Sequence, residues 1–354
     1  MFLGEAAHGD GASIAFKAAL TEQLVRRCGF RAVLFEASRY DFLEYERRLR
    51  AREIASADML SSAIGGLWRR DAEFAPLVPF LHERAARGVL SLGGLDDQLG
   101  SAGAFYSIAE MAADLTEALP EGRRSDCRDT LRRRIYSNYG AERPYEEAER
   151  RRIESCLDEA ERSLAAAPDE AGRREARLQM TVAFRSAVAR DRLPEAARTR
   201  ARDGAMYRAF RRELNRLGDR PRVIVWTATV HGARSAAALD GPDAAPTLGA
   251  LAHRDLRGQV FSLGVSALAG RYAEFPGGPV RDVPDAAPDA LESRALSQER
   301  AEAVYLDRTA LRRAGLVTSG ALSHRPLRLR WQEVLDGIVV LRTQRPPTII
   351  PARP

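Results

Sequence analysis

Lysine is all but absent from this chain of 354 residues: Lys17 is the only one, and every other basic side chain is arginine. Cysteine is nearly as scarce. Cys28, Cys127 and Cys156 are odd in number and follow no metal-binding or redox spacing. That pattern excludes a zinc ribbon, argues against a disulfide framework and favours a reducing, cytoplasmic setting. No segment approaches the roughly 20 apolar residues that cross a bilayer, and no basic-then-apolar leader opens the chain. Sheet-like sequence starts at residue 1, so the strand can continue upstream of Met1. Several catalytic signatures are missing too. There is no Gly-x-x-x-x-Gly-Lys phosphate loop and no Gly-x-Gly-x-x-Gly fingerprint. Gly264-Val265-Ser266-Ala267-Leu268 begins a nucleophile elbow and fails at the second glycine. No cysteine stands beside a histidine. These gaps favour activated water over a covalent intermediate.

Charge of one sign does not dominate either: 55 basic residues face 49 acidic ones. The arginines are interleaved with acids, as in Glu149-Arg150-Arg151-Arg152-Ile153-Glu154. This reads as a solvated helix surface rather than a nucleic-acid footprint. The expected partner is a small-molecule substrate, with no nucleic acid, membrane, metal or cofactor, on a monomer or homodimer.

What is present is a rhythm of short apolar runs ended by chemistry. Met1-Phe2-Leu3 stops at Gly4 and is followed by Glu5 and, three residues on, His8. Asp10 or Ser13 can cap a helix running to about Cys28, with Gly29 as its stop. Phe30 to Phe35 reads as a buried strand ended by Glu36. Helices are expected near residues 41–52 and 72–87, and a strand near 88–94 leads to Asp96 and Asp97. Strand alternating with helix gives an α/β fold, a mainly parallel sheet flanked by helices. From Ala102 to Leu217 the rhythm stops, and Pro120, Pro144, Pro168 and Pro194 divide an Ala-, Arg-, Glu- and Leu-rich stretch into four or five helices. The domain expectation is therefore an α/β core over 1–101 and 218–354, with 102–217 a helical insertion capping an active-site cleft. Further strands are expected at 222–227, 259–264 and 337–341, with a surface loop near 274–288.

Ligands of parallel sheets bind beyond the C-terminal strand ends. Glu5, His8 and Glu36 stand at two such ends. If the two strands pair, about 4.8 Å apart, both carboxylates can reach the imidazole. A carboxylate on one ring nitrogen fixes the tautomer and raises the basicity of the other, which suits a general base acting on water. Helix capping is the alternative for both acids. Lys17 lies about two turns into the first helix, and its side chain leans back toward the helix start. It is either a site ammonium or a surface lysine. His231 follows the strand ending at Trp226-Thr227 and can assist a leaving group or an oxyanion. Asp96 either lines the pocket or caps a helix. His82, His253 and His324 receive no role.

At these residues the chain resembles the erythromycin esterase family. That family's Leu-Gly-Glu-(Ala/Ser)-(Thr/Ser)-His-Gly is similar to Leu3-Gly4-Glu5-Ala6-Ala7-His8-Gly9, with Lys17 at the family's Arg/Lys position nine residues after the histidine. Gly29-Phe30-Arg31-Ala32-Val33-Leu34-Phe35-Glu36-Ala37, Gly93-Gly94-Leu95-Asp96, Arg202-Asp203-Gly204-Ala205-Met206 and Trp226-Thr227-Ala228-Thr229-Val230-His231 resemble later family motifs in the same order. The resemblance implies a metal-independent hydrolase with an α/β core, a helical part and a cleft between them. It implies His8 as the base that activates water, Glu5 and Glu36 as its tuning carboxylates, Lys17 as their counter-charge and His231 as an aid at the carbonyl or leaving group. Asp96, Arg202, Asp203 and Trp226 are then substrate-binding or supporting residues. The chain departs from the pattern at Ala7, Ala209, Ala228 and Thr229, where the family carries Thr/Ser, Asn, His and Asn.

The leading expectation is thus hydrolysis of an ester or lactone of a small natural product. A biosynthetic tailoring enzyme performing acyl transfer, cyclisation or elimination is an alternative. So is a non-catalytic small-molecule binding protein, which the change at Ala228 favours. A fourth reading makes Glu5, His8, Glu36 and His231 ligands of zinc or manganese.

Overall fold

The protein is described here by a computed structural model covering residues 1–100, 105–137, 139, 145–235, 237, 241, 245–297 and 300–351. The expected boundary at 101–102 and Pro144 lie outside the described residues. The chain divides into two compact units. The first comprises 1–36, 67–83 and 214–354, and the second 37–66 and 84–213.

In chain order the strands are β1 (Phe2–Glu5), β2 (Ala32–Ser38), β3 (Ser91–Asp96), β4 (Val223–Ala228), β5 (Ser262–Ala273), β6 (Val280–Asp282), β7 (Ala303–Asp307), β8 (Leu316–Ser319), β9 (Leu327–Arg330) and β10 (Gly337–Gln344). Within the first unit the sheet runs β2-β4-β1-β5-β10-β7, with β6 on β5. Pairing is parallel from β2 through β10. It turns antiparallel at β7 and β6. Strands β1, β2 and β4 are buried along their whole length. Continuous apolar runs are what a parallel sheet covered on both faces requires.

Beside the sheet, β8 and β9 form a hairpin. A core of Leu311, Leu322, Trp331, Leu335 and Ile338 packs in the same unit. The sequence reading did not resolve β6 to β9. The stretch near 274–288 was expected to be loop. Instead β5 continues to Ala273 and turns back as β6, so part of it is a hairpin arm. Period-two alternation is hidden there by glycines and prolines.

The second unit is mostly helical. Helices Tyr106–Ala109, Met111–Thr116, Glu121–Tyr136, Glu147–Ala166, Arg173–Arg190 and Glu195–Leu217 fill the stretch read as helical insertion. Residues 37–66 and 84–100, including β3, share the unit with them. The apolar faces of these helices close over Met111, Leu131, Ile153, Leu157, Met180 and Phe184. Arg150 is held by Glu147 and Glu154 one turn away on its own helix, the ladder expected of a charged helix surface.

One expectation is overturned here. Cys127 and Cys156 form a disulfide 29 residues apart, between two buried positions of adjacent helices. Spacing carried no sign of it, because helix packing, not sequence distance, brings the two sulfurs together. Cys28 is free and exposed. Among the described residues no helix is long and apolar enough to cross a membrane.

Candidate active site

Strand β4 sets the geometry of the site. Strands β1 and β2 do not pair with each other, so the condition named from the sequence is not met; β4 lies between them. Glu5 stands opposite Ala228 across one edge of β4, and Phe35 stands opposite Trp226 across the other. The two carboxylates therefore flank the end of β4 from opposite sides, across two strand spacings of about 4.8 Å each. A two-strand gap suits a histidine better than one, because an imidazole has to fit between the acids.

His8 fills that gap. Its Nδ1 lies 2.9 Å from Glu5 Oε1, and its Nε2 lies 4.0 Å from Glu36 Oε1. An ionised carboxylate only accepts hydrogen bonds, so Nδ1 carries a proton, and Nε2 faces Glu36. The imidazole keeps 22% of its surface open, whereas Glu5 is fully buried. Glu36 is held on its other oxygen by Thr227 Oγ1 at 2.7 Å and the Ala228 N–H at 3.0 Å. Where the family carries histidine, Ala228 thus offers its backbone.

Lys17 is not a surface lysine: its side chain is buried. Its ammonium donates to Glu5 Oε2, and to Thr227 O at 3.3 Å. It also lies 4.2 Å from the ring centre of Trp226, whose face attracts a cation. Burial pushes the Lys17 ammonium below its ordinary range, and the Glu36 carboxylate opposes that push. His231 sits in the one-turn helix Thr229–Gly232 that follows β4, with Nε2 3.2 Å from Glu36 Oε1. The five residues Glu5, His8, Lys17, Glu36 and His231 come together in the first unit.

Gly4 has a steric cause. A Cβ there would stand 2.6 Å from both Cα and Oγ1 of Thr229, so the strand before Glu5 admits no side chain. Gly9 is equally confined, with Ala273 O only 2.3 Å from where its Cβ would be. Asp10 and Ser13 were the two expected helix caps; Ser13 lies inside the first helix, Gly11–Arg27, and the Asp10 side chain makes no cap bond to it. It turns back instead to the Ala7 N–H at 2.9 Å.

The remaining expected residues divide between the two units. Trp226 is buried among Phe35, Phe74 and Trp68. Asp96, Arg202 and Asp203 belong to the second unit. There Asp96 Oδ2 accepts from Arg202 at 2.8 and 3.1 Å, and Asp203 lies 3.7 Å from Arg200.

Sequence reasoning missed two neighbours of His8. Trp68 meets the imidazole edge-on, with ring centres 5.4 Å apart. Asp71 is buried, and neither of its carboxyl oxygens has a hydrogen-bond partner among the described residues. Burial pushes its carboxyl up to about 7, Glu73 adds to the push, and His8 opposes it. The indole N–H groups of Trp68 and Trp226 and the Thr229 hydroxyl are also buried without a partner among the described residues. Such groups are rare in native interiors and ask for a reason beyond packing. Trp68 and Asp71 lie in a turn with no periodicity, and only the proximity of an aromatic and an acid could have flagged them.

A family model described as Erythromycin esterase matches residues 25–335, a range that begins after the His8 motif. No curated protein matches the sequence. Three solved structures are similar at low identity. A Bacillus cereus protein is 15% identical, with a TM-score of 0.72, over 99% of this chain and 90% of its own. A succinoglycan biosynthesis protein is 13% identical, with a TM-score of 0.71, over 98% of this chain and 88% of its own. A point mutant of the erythromycin esterase EreC, in its open conformation, is 16% identical, with a TM-score of 0.70, over 99% and 92%. At these identities the likeness establishes the fold.

Proposed function

Because the chain belongs to the erythromycin esterase family, we propose that it hydrolyses an ester or lactone of a small natural product, with His8 as the base that activates water. The observation that carries this reading is the histidine between two acids: Nδ1 on Glu5 at 2.9 Å, and Nε2 turned to Glu36 at 4.0 Å. A separation of 4.0 Å is too long for a direct hydrogen bond. It suits a water that donates one proton to Nε2 and the other to the Glu36 carboxylate.

In the reaction, Nε2 takes a proton from that water as its oxygen bonds to the ester carbonyl carbon. The resulting imidazolium is stabilised by Glu5, which holds its Nδ1–H throughout. The tetrahedral intermediate then collapses, the acyl C–O bond breaks, and the Nε2 proton passes to the departing alkoxide. The products are a carboxylic acid and an alcohol. His231 Nε2, 3.2 Å from Glu36, is placed to aid the carbonyl oxygen or the leaving group. Lys17 supplies positive charge beside two buried carboxylates, and it occupies the Glu5 oxygen that a metal ion would otherwise claim. That arrangement favours the metal-independent reading over ligation by Glu5, His8, Glu36 and His231.

A non-catalytic small-molecule binding protein is the second reading, and Ala228 favours it. A site that has replaced an imidazole by a methyl group has one proton carrier fewer for hydrolysis. A screen of macrolides and other lactones and esters, read by mass spectrometry for the added water, tests the proposal. The wild type should open at least one substrate, in the presence of a chelator, and His8→Ala should not. Turnover by His8→Ala at the wild-type rate overturns the assignment.

A further inference from the structure

We propose that His324 is a positioning residue for the His8 base, acting through Asp10; the proposal rests on reading His8 as a base. The two histidines are 316 positions apart in the sequence, and the link between them is a chain of short bonds. His324 Nε2 donates to Asp10 Oδ1 at 2.8 Å. The other oxygen of that carboxylate accepts the Ala7 N–H at 2.9 Å. The Asp10 N–H in turn donates to Ala7 O at 3.1 Å. This reciprocal pair closes the turn Ala7-His8-Gly9-Asp10 on itself, with the base at its apex. On the far side, Gly9 O accepts the Ala273 N–H at 3.0 Å. The backbone on both sides of His8 is thereby fixed.

His324 is built for this task. It is buried, in the turn between β8 and β9, with a left-handed backbone at φ 53°. Its ring stacks on Tyr272 of β5 with centres 4.0 Å apart. Asp10 is fully buried, and a buried carboxylate holds its place only while charged or polar donors meet both oxygens. Removing the His324 N–H leaves one oxygen unmet and frees the carboxylate to swing from Ala7. The turn then relaxes, and with it the line from Nδ1 to Glu5. A misplacement of about 1 Å at a reacting group costs on the order of 10²-fold in rate.

The test compares His324→Phe, which keeps the stack and loses the donor, with His324→Gln, whose amide N–H can reach the position of Nε2. Two readouts are taken on each folded variant: the tautomer of His8 by ¹⁵N-histidine NMR, and kcat and KM with p-nitrophenyl butyrate. Wild type should show His8 as a single Nδ1–H form. His324→Phe should show it averaged between tautomers, with kcat reduced about 10²-fold and KM little changed. His324→Gln should restore both. If His324→Phe does not fold, His324→Asn replaces it, because its amide stops short of Asp10. A folded Phe or Asn variant with wild-type tautomer and kcat overturns the proposal. If wild type does not turn over the ester, it is the hydrolase reading that weakens, and the NMR comparison still decides the role of His324.

Discussion

Replacing Asp71 by asparagine isolates the cost of a buried acid from the shape of its surroundings. The two side chains are nearly isosteric, and only one can ionise. In the unfolded chain the carboxyl titrates at its ordinary value of 3.8, and in the fold it is pushed up to about 7 by burial. Between these values the folded protein holds a proton that the unfolded chain has released. Stability therefore falls as the pH rises through this window and levels off above about 7. A gap of about 3 pH units, at about 1.4 kcal/mol each, amounts to about 4 kcal/mol over the whole window. Of this, about 2–3 kcal/mol is lost between pH 5 and pH 8. The assay is urea denaturation of wild type and Asp71→Asn at both pH values, followed by tryptophan fluorescence. Relative to wild type, the variant should gain about 2–3 kcal/mol on going from pH 5 to pH 8. A difference between the two proteins that stays the same at both pH values would refute the reasoning, since it would mean that Asp71 is solvated or paired in the fold.

His8→Ala should lower kcat about 10²–10⁴-fold, the usual worth of a general base, while its thermal midpoint stays near wild type because the ring is partly open to solvent. Lys17→Met should destabilise the fold by about 3–5 kcal/mol, because it leaves the buried Glu5 and Glu36 without their counter-charge; a chemical-denaturation midpoint equal to wild type would count against the ion pair. Opening the Cys127–Cys156 bridge with a reductant, or by a double serine substitution, should cost about 3–4 kcal/mol for a loop of this length, and thermal melts with and without reductant would read it.

The residues that gather around His8 were more legible than the frame that gathers them. Glu5, His8 and Glu36 could be picked out because an apolar run that ends in a charge marks a strand end, and strand ends of parallel sheets face one crevice. The strand between them could not be, since the lateral order of parallel strands follows from crossovers that leave no local pattern. Lys17 was noticeable only by its rarity among arginines. Its burial depends on a helix face that carries Ser13 and Thr21 as well as apolar residues, so no clean amphipathic stripe announced it. Asp71 and His324 sit in turns, where composition says little about which side chain points inward. The hairpin of β5 and β6 was read as loop because Pro276, Gly277 and Gly278 outweighed the short alternation around them. The disulfide escaped for a different reason: cysteine counting weighs redox habit, whereas the bridge depends on how two helices settle against each other.

The placing of β4 between β1 and β2 has a consequence for synthesis. Glu5, His8 and Glu36 all lie within residues 1–36, yet the strand that joins their two carriers ends at Ala228. At about 5–20 residues per second, the ribosome needs on the order of 10–40 s to deliver it. Through that interval the nascent chain carries two apolar strands without their common neighbour, a state that invites holding by chaperones. A fragment ending before Arg222 would contain every atom of the histidine and its carboxylates and still lack the scaffold that lets them meet.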